Sequence, residues 1–138
     1  MTQLILVYWY CVCDIIHRGH LEALKNAKAL GDRLVVGVLT DEAVMEKKPR
    51  PVVPFEARME VVRNLRFVDA VVAQDEYSPI KNVVKMGVDI LAESDSHEHV
   101  TEKFRRFMES KGVRVVTYPY FPGYSSTGIK EKIRDEGR

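Results

Sequence analysis

Asp14, His17, Gly19 and His20 are the residues whose types and spacing most readily do chemistry. Two histidines three positions apart share one face of a helix, and their ring N–H groups can donate to phosphate oxygens and stabilise charge growing on a phosphorus under attack. A helix N-terminus at the same place would add unpaired backbone N–H groups that favour an anion, and Gly19 would let the backbone approach it closely. The same residues also make ordinary helix-start chemistry, and His-x-x-His alone does not choose between the two.

Other groups carry the same double meaning. Ser125, Ser126 and Thr127 in "GYSSTGIKEKI" can cap a final helix or bind phosphate at its start, and Lys130 would lie within reach of the same anion. Lys47, Lys48 and Arg50 are either a charged lid over a triphosphate or the solvated charge of an exposed loop. Arg58 by itself is a solvated or ion-paired helix residue. In "ESDSHEH", Asp95, His97 and His99 are of metal-ligating type, but Asp95 as N-cap with Glu98 three residues later explains the local polarity as a capping box. Asp95 also ends a strand, where a ligand can meet it. Cys11, Cys13, Asp14, His17 and His20 together include donors that Zn2+, Co2+ or Ni2+ accept, although buried cysteines also serve as small hydrophobes. The two cysteines are too close in an extended chain for an unstrained disulfide, so both are expected reduced.

What must position these residues is an alternation of strands and helices. "LILVYWY", Leu4 to Tyr10, is a continuous apolar run of strand length, the pattern of a strand covered on both faces. Along it Trp9, Cys11 and Cys13 point one way, and Tyr8 and Tyr10 the other. A helix follows, with Gly31 placed to end it in a left-handed conformation. Then come strand Arg33–Thr40, a short helix Asp41–Met45 and a mobile, proline-rich loop from Lys47 to Pro54. The alternation resumes with helix Phe55–Leu65, strand Val68–Ala73, helix Pro79–Met86 and strand Val88–Glu93. Helix His97–Lys111, closed by Gly112, strand Val113–Tyr118 and a last helix from about Thr127 complete it. Such a series predicts an α/β fold, a doubly wound parallel sheet of about five strands, with ligands at the carboxyl ends of the strands.

Composition narrows the function classes. With 138 residues, 46% of them hydrophobic, the chain can bury one core, and residues 1–138 are expected to form a single domain. A formal net charge of +1 gives no global field for nucleic acid or an anionic membrane. No apolar stretch approaches the roughly 20 residues of a membrane span, and the start lacks a basic region and a cleavage site. A soluble, cytoplasmic protein is expected.

Three segments, "CDIIHRGHLEALKNAKALGDRLVVGVLTDEAV", "KKPRPVVPFEARMEVVRNLRFVDAVV" and "YSSTGIKEKI", together resemble the cytidylyltransferase-like nucleotidyltransferases, glycerol-3-phosphate cytidylyltransferase among them. The resemblance covers nearly the whole chain. It implies that His17 and His20 contact a triphosphate and stabilise the transition state, with Asp14 at the family's aspartate position. Lys47 or Lys48 would reach the phosphates, Arg58 the nucleotide or second substrate, and Ser125, Ser126 and Thr127 the triphosphate. The implied reaction transfers CMP or AMP, with Mg2+ and CTP or ATP, to a small phosphorylated alcohol, and family members are commonly homodimers.

The first motif departs from the family's glycine at Cys11 and its phenylalanine at Cys13, while Trp9 and Tyr10 replace smaller residues. Ser94 and Gly128 are milder departures. A side chain at position 11 crowds ground on which a nucleotide would lie against the backbone. The alternative function is therefore a divergent or redesigned binding protein, its pocket altered at Tyr8, Trp9, Tyr10, Cys11 and Cys13 to hold a transition metal or an apolar ligand.

Overall fold

The apolar run near the N-terminus becomes the central strand of a parallel sheet. The structure is a computed structural model that describes residues 3–95, 97–119 and 125–137. Gly123 and Tyr124, which open the hydroxyl-rich stretch, lie outside them. The strands are β1 (Leu6–Cys11), β2 (Arg33–Leu39), β3 (Ala70–Gln74), β4 (Ile90–Ser94) and β5 (Arg114–Tyr118). The helices are α1 (Arg18–Lys28), α2 (Asp41–Val44), α3 (Phe55–Arg63), α4 (Ile80–Met86), α5 (Glu102–Ser110) and α6 (Ser126–Glu136). All strand pairs are parallel, in the order β3-β2-β1-β4-β5. This is the expected doubly wound α/β fold.

Three aspartates fix the amino ends of the strands. Asp32 accepts the Ile5 N–H at 2.6 Å, Asp89 that of Leu6 at 2.8 Å and Asp69 that of Leu34 at 2.8 Å. The register of β1 against β2 and β4 is thereby set, and with it the height at which the chain leaves β1.

Burial on both faces follows the alternation along β1. Val7 and Trp9 pack with Leu24 and Ala27 of α1 and Val62 of α3. Tyr8 and Tyr10 pack on the opposite side with Ala43 and Val44 of α2, Val83 of α4 and Met108 of α5. Tyr8 donates to Gln74 Oε1 at 2.6 Å and accepts from Asn82 at 3.1 Å. Gly37 of β2 leaves room for that hydroxyl: a Cβ there would overlap Tyr8 Oη and lie 2.8 Å from Gln74 Oε1. Gly37→Ala should therefore cost about 1–3 kcal/mol through overpacking. Urea unfolding checks this, and the cost should shrink in a Tyr8→Phe background, where the clashing oxygen is gone.

Several expectations are corrected by tertiary contacts. Gly31 does not carry the left-handed turn after α1, since Ala29 caps that helix in a right-handed conformation and, among the described residues, the positive-φ glycines are Gly87 and Gly112. Its role is close approach, because a Cβ at Gly31 would meet Ile5 and Val7 side chains at 2.8 Å. Helix α5 begins at Glu102 rather than His97; Thr101 is its N-cap, accepting the Phe104 N–H at 3.2 Å, so Asp95 and Glu98 form no capping box for it. Cys11 and Cys13 are not reduced but joined in a disulfide. Cys13 takes φ 59°, so the chain is not extended there and the pair closes at a Cα–Cα distance of 5.1 Å. Among the described residues, no helix is long and apolar enough to cross a membrane.

Candidate active site

The strand order reverses beside β1, where β2 and β3 lie to one side and β4 and β5 to the other. The central crevice is opened by unequal pairing. β1 pairs with β2 at all six positions from Leu6 to Cys11, but with β4 only at Val7 and Tyr8. Beyond Tyr8 the two strands part, and their carboxyl ends flank the place where such sheets bind ligands.

The segment leaving β1 delivers His17 and His20 to the start of α1. His17 is the N-cap, and its Nδ1 accepts the Gly19 N–H at 3.0 Å. His20 sits at the third helical position, and its Nδ1 accepts the His17 N–H at 3.1 Å. This is a reciprocal capping box built from two imidazoles in place of the usual hydroxyl and carboxylate. An Nδ1 that accepts a backbone N–H puts the proton of a neutral ring on Nε2, so the box fixes both rings in one tautomer. The ring centroids are 4.1 Å apart, and His20 and Trp9 meet edge to face with centroids 6.5 Å apart. Helix capping thus uses Nδ1 of both rings, so a contact from either ring to a phosphate would have to come from Nε2.

Burial, with a smaller contribution from the His17 charge, lowers the pKa of His20 from its ordinary 6.5 to about 4. Burial lowers that of His17 as well. Because the unfolded chain binds this proton more readily, the contribution of His20 to stability is complete above pH 6.5. It should be lost as pH falls from 6.5 towards 4. An NMR titration of the His20 ring should show a midpoint near 4, moving upward in His17→Ala. A midpoint at the ordinary value in the native protein would contradict the packing described.

Asp14 is buried and already occupied. Its Oδ2 accepts the Val52 N–H at 2.9 Å and its Oδ1 the Val53 N–H at 2.8 Å, while Lys130 of α6 forms an ion pair with it. Burial raises the Asp14 pKa, but Lys130 and the two backbone N–H groups outweigh it and hold the carboxyl below its usual range. Lys130, expected on a phosphate, is therefore held by Asp14. The loop expected to be mobile is tethered at its second half, with Pro51 buried and Val52 and Val53 bound to Asp14. An open groove of about 250 Å³ beside this pair is lined by Ile15, Val52, Lys130, Ile133 and Arg134.

Arg58 lies inside the protein, with no exposed surface. Its guanidinium donates to Val53 O at 3.0 Å, Val12 O at 2.6 Å, Leu39 O at 2.7 Å and Asp41 Oδ1 at 2.7 Å. It ties the carboxyl ends of β1 and β2 to the tethered loop. Four of its five N–H groups are taken by protein acceptors, which gives it a structural role beside the nucleotide contact that the resemblance implies.

Ser125 caps α6, accepting the Gly128 N–H at 2.9 Å, and Ser126 donates to Ile15 O at 3.0 Å, docking that helix beside the β1–α1 connection. Thr127 is exposed in the first turn. Lys47 and Lys48 are exposed, the Lys47 ammonium lying 5.0 Å from the centre of the Tyr77 ring. The two lysines are not brought to the histidine pair by any contact among the described residues. Gly19 lies in the first turn of α1, and Asp95 follows β4, its N–H donating to Tyr118 O at 2.9 Å.

The five-residue metal set of Cys11, Cys13, Asp14, His17 and His20 is not assembled. The cysteines are oxidised to a disulfide, Asp14 is paired with Lys130, and the Nδ1 atoms of both histidines cap the helix. Among the described residues, the group that could hold a metal is Glu93, His97 and His99. Glu93 was missed because a single glutamate ending an apolar strand carries no motif. The signal was its position, a charged residue closing "DILAE" where both faces should be buried.

The model of the family described as cytidylyltransferase-like matches residues 12–132. The bifunctional protein HldE of Acidiphilium cryptum is 37% identical over 123 residues, covering 88% of this chain and 25% of that protein. Ethanolamine-phosphate cytidylyltransferase of Arabidopsis thaliana is 40% identical over 79 residues, covering 57% of this chain and 19% of its own length. This chain thus spans about a quarter or less of these two relatives. Among solved structures, the lipopolysaccharide core biosynthesis protein of Thermoplasma volcanium superposes with a TM-score of 0.79 at 26% identity, covering 86% of this chain and 99% of that one. With its fold, its histidine pair after the central strand and these likenesses, the chain belongs to the cytidylyltransferase-like family.

Proposed function

We propose that this chain transfers a nucleotidyl group, CMP in preference to AMP, from a nucleoside triphosphate to a small phosphorylated alcohol. The observation that carries the proposal is the pair of neutral imidazoles at the start of α1, each with its Nδ1 accepting a backbone N–H, that of Gly19 for His17 and that of His17 for His20. The preference for cytidine rests on the family and on the relative whose name specifies cytidylyl transfer to ethanolamine phosphate.

In the reaction, an oxygen of the acceptor phosphate attacks the α-phosphorus and forms the new P–O bond. The bond from that phosphorus to the oxygen bridging to the β-phosphate breaks, and pyrophosphate leaves with the electron pair. His17 and His20 donate from Nε2 to oxygens on which charge accumulates, and the positive end of the α1 dipole lies beside them. A neutral imidazole keeps one donor over a wide pH range without proton release, which suits charge stabilisation rather than acid catalysis. Magnesium enters as part of the triphosphate substrate. The Asp14 carboxylate, committed to Lys130 and two backbone N–H groups, is not offered to it in this arrangement.

Thermal unfolding with Mg2+ and either CTP or ATP tests binding. A ligand at 100 times its Kd raises stability by about 2.7 kcal/mol. A coupled pyrophosphate assay with phosphoethanolamine and glycerol phosphate as acceptors tests transfer. Stabilisation by CTP with acceptor-dependent pyrophosphate release is expected. A chain that neither nucleotide stabilises, and that releases no pyrophosphate, would overturn the proposal.

A further inference from the structure

On the sheet face opposite the histidine pair, a buried carboxylate has been placed among two more histidines and a tyrosine. Glu93 has no exposed surface, and it shares its side of β4 with Leu91 of the apolar cluster around Tyr10, Met108 and Val115. A carboxylate in such surroundings is retained only against strong partners. Tyr10 donates to Oε1 at 2.6 Å, His97 Nδ1 lies 2.5 Å from Oε2, and His99 Nε2 lies 3.1 Å from both Oε1 and the Tyr10 hydroxyl. Among the described residues, these two imidazoles are the only basic side chains paired with Glu93.

We propose that Glu93, His97 and His99 form a binding site for a divalent transition ion of the zinc, cobalt and nickel class, with the Tyr10 hydroxyl orienting the carboxylate from behind. One ligand atom from each of the three residues, a carboxylate oxygen and two ring nitrogens, lies within 4.8 Å of the other two. Small movements of the two rings would place all three about 2.0–2.2 Å from a common centre. The rings have room for this, because His97 and His99 lie in the turns between β4 and α5 and not inside either element. Two imidazoles and one carboxylate favour zinc-like ions over Mg2+ or Ca2+, which take oxygen ligands.

The site is also one-sided. Glu93 forms a floor with no exposure, while the His97 and His99 side chains are 40% and 39% exposed. Three protein ligands on one side and solvent on the other leave a coordination position for water or for an oxygen of an anionic ligand, as in open zinc sites. Asp14 is held differently. That carboxylate is neutralised by a lysine that binds no metal, whereas Glu93 is met by side chains that are themselves metal ligands. This proposal does not rest on nucleotidyl transfer, since it uses the α2, α4 and α5 side of the sheet and none of the groups placed on the triphosphate.

The test is calorimetric titration of the EDTA-treated full chain with ZnCl2, and with CoCl2 while recording the visible spectrum. Saturable binding of one ion per chain is expected, with cobalt bands typical of low coordination number. His97→Ala and His99→Ala should each weaken binding by more than about 100-fold, since loss of an orienting partner alone costs about 10- to 100-fold. Tyr10→Phe should fall within that smaller range, and His17→Ala should leave affinity unchanged. In the unaltered protein, Zn2+ should protect His97 and His99 from diethyl pyrocarbonate, which keeps the test valid should a variant misfold. Absence of saturable binding, binding indifferent to His97 and His99, or protection of His17 and His20 instead would overturn the proposal.

Discussion

Replacing His20 with alanine should lower kcat for nucleotidyl transfer by about 100- to 1000-fold, the loss typical of removing one preorganised donor to a developing oxyanion. The effect should fall on kcat more than on the apparent Kd for the nucleotide, because the donor is aimed at charge that grows during the reaction. The same substitution removes a helix cap, since His20 Nδ1 accepts the His17 N–H at 3.1 Å, and that loss is worth about 0.5–2 kcal/mol of stability. The two losses are separable. Glutamine at position 20 can accept the same backbone N–H, as it does in ordinary capping boxes, without reproducing a ring nitrogen on the far side. His20→Gln should therefore recover much of the stability and little of the activity. Steady-state kinetics beside urea unfolding of the two variants decides the matter, and full activity in both would remove the histidine from the chemistry.

Arg58→Met should destabilise the protein by about 3–5 kcal/mol, as expected when one partner of a buried charged network is deleted. Methionine fills similar volume, so the loss reads hydrogen bonding rather than a cavity. Its removal would leave Val12 O, Leu39 O and Val53 O without this donor and Asp41 without its ion-pair partner. Arg58→Lys should recover only a fraction, because a single ammonium cannot reach acceptors fanned around a planar fork. Denaturant unfolding measures both. Unchanged stability with lost nucleotide affinity would instead leave Arg58 with only the ligand-binding role implied by family resemblance.

Those two residues illustrate what the sequence made legible. The place of His17 and His20 at a helix start was legible from their spacing after a buried strand, and the parallel sheet from continuous apolar runs, because both signals are local and periodic. Arg58 was found as a residue but not as a structure. Its partners lie up to 46 positions away, and nothing in "FEARMEV" shows that its side chain turns inward. The pairing of Asp14 with Lys130 spans 116 positions and was equally invisible, so a loop that looked free proved to be tied. The start of α5 was misplaced for a related reason. Local capping rules favoured Asp95 and Glu98, but the buried carboxylate of Glu93 draws His97 and His99 back towards the sheet, and the helix waits for Thr101. The oxidised Cys11–Cys13 pair was excluded on the assumption of extended geometry, which the positive φ of Cys13 breaks.

The reciprocal cap at the start of α1 bears on how such a protein ages over evolutionary time. A duplicated copy relieved of its chemistry would ordinarily lose its reactive residues first, since nothing then selects for them. Here each imidazole also secures a helix terminus, so drift to a residue that cannot accept the backbone N–H costs about 0.5–2 kcal/mol of stability whether or not the copy turns over substrate. The His-x-x-His signature should outlive the activity it is used to diagnose. Inactive descendants of this architecture should betray themselves first at positions that face only the ligand.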